Sequence, residues 1–154
     1  MRALVQRVTH SSVAIDGDTV GEISSGLLIL LGVKNDDLSK DVDYLIDKIC
    51  GLRIFTDSDG KFNDSLLDVK GEVLIVSQFT LYADTRKGRR PGFTDSARPE
   101  VAIPLYEEFI EKFKARGVLV QTGQFGADMK VSLLNDGPVT IMLDSEDKFP
   151  RDSK

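Results

Sequence analysis

Ser77-Gln78-Phe79-Thr80 and Asn135-Asp136-Gly137-Pro138-Val139-Thr140 are the two segments of this 154-residue chain that do not read as ordinary connectors. The first sets two hydroxyls, an amide and an aromatic ring where an apolar run ends. The second joins a glycine, which can approach a ligand closely, to a proline, which fixes φ. Either motif alone is common in turns. A third segment, TRKGRRPGFTDSAR at 85–98, sets Arg86, Lys87, Arg89, Arg90 and Arg98 against Asp95 alone. Its net +4 leaves −9 for the rest of a chain whose total is −5. Such a loop either follows a phosphate backbone or is simply solvated.

Other chemistry is short of ligands. One His and one Cys cannot assemble the usual zinc set within the chain, so no metal is expected. His10 lies beside Ser11 and Ser12, but nothing nearby orients its ring for a triad, and a polar turn is the better reading. Cys50 lies on an apolar helical face and reads as packing, in a reducing, cytoplasmic compartment. Asp57-Ser58-Asp59-Gly60 resembles a calcium loop only in part, since Asp68 stands where a bidentate glutamate would be needed; a tight turn is expected. The N-terminus lacks the pattern of a signal peptide, and the run Leu27 to Val33 is too short to span a bilayer.

The elements that must position these residues follow from periodicity. Arg2 to Val8 and Ser12 to Ile15 read as strands, followed by a turn at Asp16-Gly17-Asp18 and a strand over Thr19 to Ile23. Leu27 to Val33 is apolar throughout, as in a strand covered on both faces. A helix begins at Ser39 as N-cap, carries Val42, Leu45, Ile46, Ile49 and Cys50 on one face, and stops at Gly51. Leu52 to Phe55 and Glu72 to Val76 read as strands. A second helix takes Pro99 in its first turn and buries Leu105, Tyr106, Phe109, Ile110 and Phe113, with Pro104 limiting where its regular part begins and Gly117 closing it. Val118 to Gln121, Lys130 to Leu134 and Val139 to Leu143 are the last strands, and a frayed tail is expected over 145–154. The sum is one α/β domain over 1–154: a mixed sheet in partly barrel-like layers, with two main amphipathic helices on one side.

Taken in order, MRALVQRV, EVLIVSQFTLYAD, GRRPGF and FGADMKVSLLNDGPVT resemble the D-aminoacyl-tRNA deacylase family over almost the whole chain, with no departure at the motif positions. The resemblance implies a cytoplasmic homodimer without cofactor that hydrolyses the ester between a D-amino acid, or glycine, and the terminal adenosine of tRNA. It implies a site at the dimer interface, joining Ser77, Gln78, Phe79 and Thr80 of one subunit to a cis Gly137-Pro138 of the other. Arg7 matches the arginine that braces this turn, and Phe125 and Met129 match positions near the adenosine. Arg86, Lys87, Arg89 and Arg90 would meet the RNA backbone.

On that reading, N–H groups around Gln78 to Thr80 hold the oxyanion, and a wall of main-chain carbonyls leaves no room for an L side chain. Thr80 either attacks the ester or orients water and substrate. No base is visible to activate it, which favours orientation. The alternatives are a non-catalytic tRNA-binding module using the 85–98 loop, which would bind RNA without turnover, and a general small-ester hydrolase using Thr80.

Overall fold

The computed structural model describes residues 1–152. Strand β1 (Arg2–Ile15) is antiparallel to β2 (Asp18–Ile23) and β3 (Gly26–Gly32). The register runs from Arg2 opposite Gly32 to Val8 opposite Gly26, and resumes at Ser11 opposite Ile23. β2 and β3 therefore occupy one edge of β1 in succession. The other edge pairs with β8 (Lys130–Asp144) along nearly its whole length. β6 (Glu72–Ser77) lies parallel to β3, and β7 (Val120–Thr122) lies parallel to β6. The sheet curls until β2 meets β7. At Gly21 a Cβ would stand 2.8 Å from the Thr122 carbonyl oxygen, so only glycine permits this approach.

This curvature makes two cores from one set of strands. Leu27, Ile29 and Leu31 of β3 and Val73 and Ile75 of β6 face helices α1 (Ser39–Gly51) and α3 (Pro99–Lys114), where they join Leu45, Ile49, Phe109 and Phe113. Leu28, Leu74 and Val76 point the other way, into the barrel, onto Val8, Val13 and Ile23. Alternate residues of a strand face opposite sides, so β3 and β6 are apolar at successive positions because both sides are covered. Each fully buried Leu, Ile or Val contributes roughly 1.5–3 kcal/mol.

Several sequence expectations need correction. The N-terminal strand is continuous through Thr9 and His10, whose side chains are exposed, so the polar residues mark the solvent side and not a break. β8 likewise runs from Lys130 to Asp144 and contains Gly137-Pro138, where a turn between two strands was expected. Ser39 is the first residue of α1, after Leu38 as N-cap; the Asp41 carboxylate accepts the Leu38 N–H at 2.8 Å. Leu52 to Phe55 shrinks to β4 (Phe55–Thr56), which pairs with β5 (Phe62–Asp64), and a short α2 (Leu66–Val69) follows. Asp57 closes the expected tight turn by accepting the N–H groups of Asp59 and Lys61.

α3 begins at Pro99 and runs regularly through Pro104. The carbonyl that Pro104 leaves without its helical partner belongs to Glu100, in the exposed first turn where water can reach it. The tail is anchored rather than frayed as far as it is described. Ser145 is fully buried and accepts the Met1 ammonium at 2.7 Å, and Arg151 reaches Asp41 at 2.9 Å. Ser153 and Lys154 lie outside the described residues.

Candidate functional site

Ser77 is the last residue of β6, and there the parallel pairing with β3 ends: the Gln78 N–H still reaches the Leu31 carbonyl at 2.8 Å, and the chain then tightens into a 3-10 turn over Phe79–Tyr82. In a turn of this kind the first N–H groups have no partner within the turn, which leaves those of Phe79 and Thr80 available. The turn is tied down behind them. Arg2 donates to the Leu81 carbonyl and to Asp144, both at 2.9 Å, and its guanidinium lies 4.6 Å from the centre of the Tyr82 ring. Gly32 of β3 gives the turn its room, since a Cβ there would come within 3.1 Å of the Gln78 carbonyl oxygen and of Leu81. The Gln78 side-chain amide donates to the Thr80 hydroxyl, which holds Thr80 outward in solvent.

Next to this turn a cavity of about 260 Å³ opens between β6, α3 and the segment before β8. Ser77, Gln78 and Phe79 line it together with Phe125 and Met129, so five of the expected site residues meet there. Sequence reasoning missed the rest of the wall, notably Tyr106, Ala102 and Ala97. Tyr106 was assigned to the core of α3, and part of it does serve there: its hydroxyl donates to the Ile75 carbonyl at 3.2 Å while its ring stands 5.9 Å from Phe125. Burial raises its phenol to about 12, so it stays a neutral donor. The Met129 thioether fills the place a Cβ on Gly123 would take.

The Gly137–Pro138 peptide is cis, and both residues are exposed. They crown a bulge in β8. Asn135 is opposite Val8 and Thr140 is opposite Gln6, so four residues of β8 span a single residue of β1, which is Arg7. Arg7, only 7% exposed, donates from Nε to the Asp136 carbonyl at 2.7 Å and from Nη1 to the Ile54 carbonyl at 2.8 Å. Asn135 closes the bulge from its other side: its amide oxygen accepts the Val139 N–H at 2.7 Å and its amide nitrogen donates to the Val139 carbonyl at 3.1 Å. An asparagine two residues before Gly-Pro was the available signal for this clamp, given its habit of bonding nearby backbone.

Within one chain the bulge and the Ser77–Thr80 turn do not meet. Arg7 is level with Leu27 and Val73, whereas Ala3 is level with Leu31 and Ser77. That is four residues along the strands, or roughly 13 Å, and three strands across, or roughly 14 Å along the sheet.

The basic segment is a loop closed by the pairing of Asp84 with Gly92. Arg86 folds back on Asp84 with bonds of 2.9 and 2.8 Å, and this pairing holds the Asp84 carboxyl down at about 2. Lys87, Arg89 and Arg90 project into solvent and, among the described residues, make no ion pair. Among these residues there is also no group of three or more His, Cys, Asp or Glu side chains placed to hold a metal ion, and no helix is long and apolar enough to cross a membrane.

Known proteins are similar to this chain over nearly its whole length. A D-aminoacyl-tRNA deacylase of Clostridioides difficile (strain 630) is 63% identical over 97% of this chain and all of its own length. One of Thermosipho africanus (strain TCF52B) is 58% identical with the same coverage. A solved structure described as c-Myc DNA Unwinding Element Binding Protein superposes with a TM-score of 0.89 at 41% identity, covering 94% of this chain and 98% of that one. The family model described as D-Tyr-tRNA(Tyr) deacylase matches residues 4–144, and with it this chain belongs to that family.

Proposed function

We propose that the chain is a hydrolase of the aminoacyl-tRNA ester bond that removes D-amino acids, and glycine, from the terminal adenosine of tRNA, and that each of its sites is built from two copies of the chain. The separation of the two motifs carries the second half of this reading. Gly137-Pro138 is exposed, clamped by Arg7 and Asn135, and far from the Ser77–Thr80 turn of its own chain. A symmetric dimer can bring each bulge to the other subunit's turn. The surface that carries the bulge favours such a contact. β8 pairs only with β1 among the described residues and exposes Leu133, Leu134 and Met142, with Leu134 64% exposed. An unpaired strand edge with apolar side chains is a ready template for a second copy.

In this site the adenosine enters the cavity lined by Phe125 and Met129, and the ester carbonyl meets the N–H groups of Phe79 and Thr80. Those donors stabilise charge that develops as water attacks; losing one such donor typically costs about 3–4 kcal/mol of transition-state energy. Thr80, held by Gln78, orients water or substrate. The partner's bulge closes the other side with main-chain carbonyls. An L side chain would strike this wall, a D side chain leaves toward solvent, and glycine passes. Lys87, Arg89 and Arg90 follow the RNA backbone.

Purified protein is expected to deacylate D-aminoacyl-tRNA and glycyl-tRNA, to spare L-aminoacyl-tRNA, and to keep its rate in chelator. Equal hydrolysis of both enantiomers would remove the selector. Activity lost in chelator and restored by a metal would remove the metal-free site.

A further inference from the structure

Phe79 and Phe93 form an exposed aromatic pair of which only Phe79 touches the cavity. Their ring centres are 5.0 Å apart at 65°, and the two residues are 55% and 36% exposed. Phe79 stands at the rim of the cavity, whereas Phe93 is outside its lining and belongs to the basic loop. Beyond Phe93 the same loop carries Arg90, Arg89 and Lys87, all exposed. Cavity, rings and cations are thus linked in series: Phe79 lines the cavity, Phe93 packs on Phe79, and Phe93 shares its segment with the unpaired Arg90, Arg89 and Lys87. A single-stranded 3′ end entering by its last nucleoside presents groups in the same order, with one enclosed base, an unstacked base before it, and then phosphates.

We propose that the Phe79–Phe93 pair is a stacking platform for the nucleobase that precedes the esterified adenosine, making a dinucleotide, and not a single nucleoside, the unit this site holds through its bases. The inference rests on the reading of the cavity as the adenosine pocket. The pair is anchored for the purpose. Phe93 follows directly on Gly92, which is held to Asp84 by mutual hydrogen bonds at 2.7 and 2.9 Å, and two residues further on the Asp95 carbonyl accepts the Asn35 N–H at 3.1 Å. Two rings held this way offer a face to a base without ordering a mobile loop at the moment of binding. Stacking accepts any base, because every base has a π-face. The platform therefore adds affinity for an unpaired 3′ end without reading its sequence.

The test uses nested substrates on the full-length protein: a D-aminoacyl ester of adenosine alone, of a cytidine–adenosine dinucleotide, and of whole tRNA. For the parent, KM is expected to drop about 5- to 150-fold from the nucleoside to the dinucleotide ester, the range of one stacked base. In Phe93→Ala that drop disappears while kcat on the dinucleotide stays within about two-fold. Phe93→Tyr restores it, and Phe93→Leu, which keeps an apolar side chain without a π-face, does not. Replacing Arg89 and Arg90 by Ala is expected to raise KM for whole tRNA alone. If the parent gains nothing from the second nucleotide, or Phe93→Ala and Phe93→Leu leave the gain intact, the platform is overturned. If the parent hydrolyses none of the three D-esters, the adenosine-pocket reading has failed instead.

Discussion

Arg7 shows how one side chain ties a strand to the bulge that carries Gly137-Pro138. Its guanidinium satisfies two main-chain carbonyls on separate segments, Asp136 in the bulge and Ile54 before β4, and its face lies 5.2 Å from the Phe62 ring. A planar fork can serve both carbonyls at once, whereas an ammonium on a flexible stem is a single point. Arg7→Lys is therefore expected to lower stability by about 2–3 kcal/mol, the scale of a buried hydrogen bond to a charged group, and to reduce the ratio of D to L hydrolysis. Urea unfolding and paired D and L assays check this. An unaltered ratio in a destabilised protein would make Arg7 a brace for the fold alone. Arg7 was legible in the sequence only through the family resemblance, because an isolated arginine in an N-terminal strand has no spacing that announces a partner 129 residues away. Phe93 was harder still. Its proximity to Phe79 depends on where the basic loop returns, and loop paths are not set by periodicity.

At the scale of elements, periodicity served wherever burial was regular. The apolar run of β3 marked a strand covered on both faces, and the stripes of α1 and α3 marked helices packed on one side of the sheet. It misled where exposure interrupted an element without ending it, at Thr9 and His10 in β1 and at the bulge in β8. The tail was misjudged for a related reason. Polar residues usually signal solvent, but Ser145 and Arg151 are polar because they answer buried charge at the start of α1 and at Asp37. Burial alone would raise the Asp41 carboxyl; hydrogen bonds from Ser145, the Leu38 N–H and Arg151 outweigh it and hold the group below its ordinary 3.8. A depressed carboxylate contributes stability that is present above its unfolded pKa and lost as pH falls through its folded one. Arg151→Ala is thus expected to cost about 1–3 kcal/mol near pH 7, less than for a fully buried pair because Arg151 is partly exposed. The deficit should persist down to the ordinary 3.8 and close as the pH falls through the depressed value of Asp41. Unfolding midpoints of parent and variant across that window measure it, and a gap that widens in acid would show the pairing to be unimportant.

For the whole molecule, the distance between turn and bulge sets what two damaged copies can do together. Phe79→Pro removes one of the two proposed oxyanion donors, at the first position of the 3-10 turn, where proline suits the backbone. Gly137→Val fills a place where even a Cβ would come within 2.6 Å of Val139 Cγ2, so the bulge must move. If each site is built from two chains as proposed, either variant alone makes dimers in which both sites are faulty, the first through its turn and the second through its bulge. In a mixed dimer both faults fall in the same site, and the other site takes an intact turn from one chain and an intact bulge from its partner. After equal mixing, random pairing makes about half the dimers mixed, each with one of two sites whole, so about a quarter of the parent D-specific rate should return. Separately tagged chains purified as mixed dimers should reach about half. If neither mixture exceeds its parents, the two motifs serve one chain. Two inactive proteins that repair each other by exchanging halves make the ownership of a site a property of the pair, and a chain carrying both substitutions should still leave a parent partner one fault-free element for each site but never a complete site.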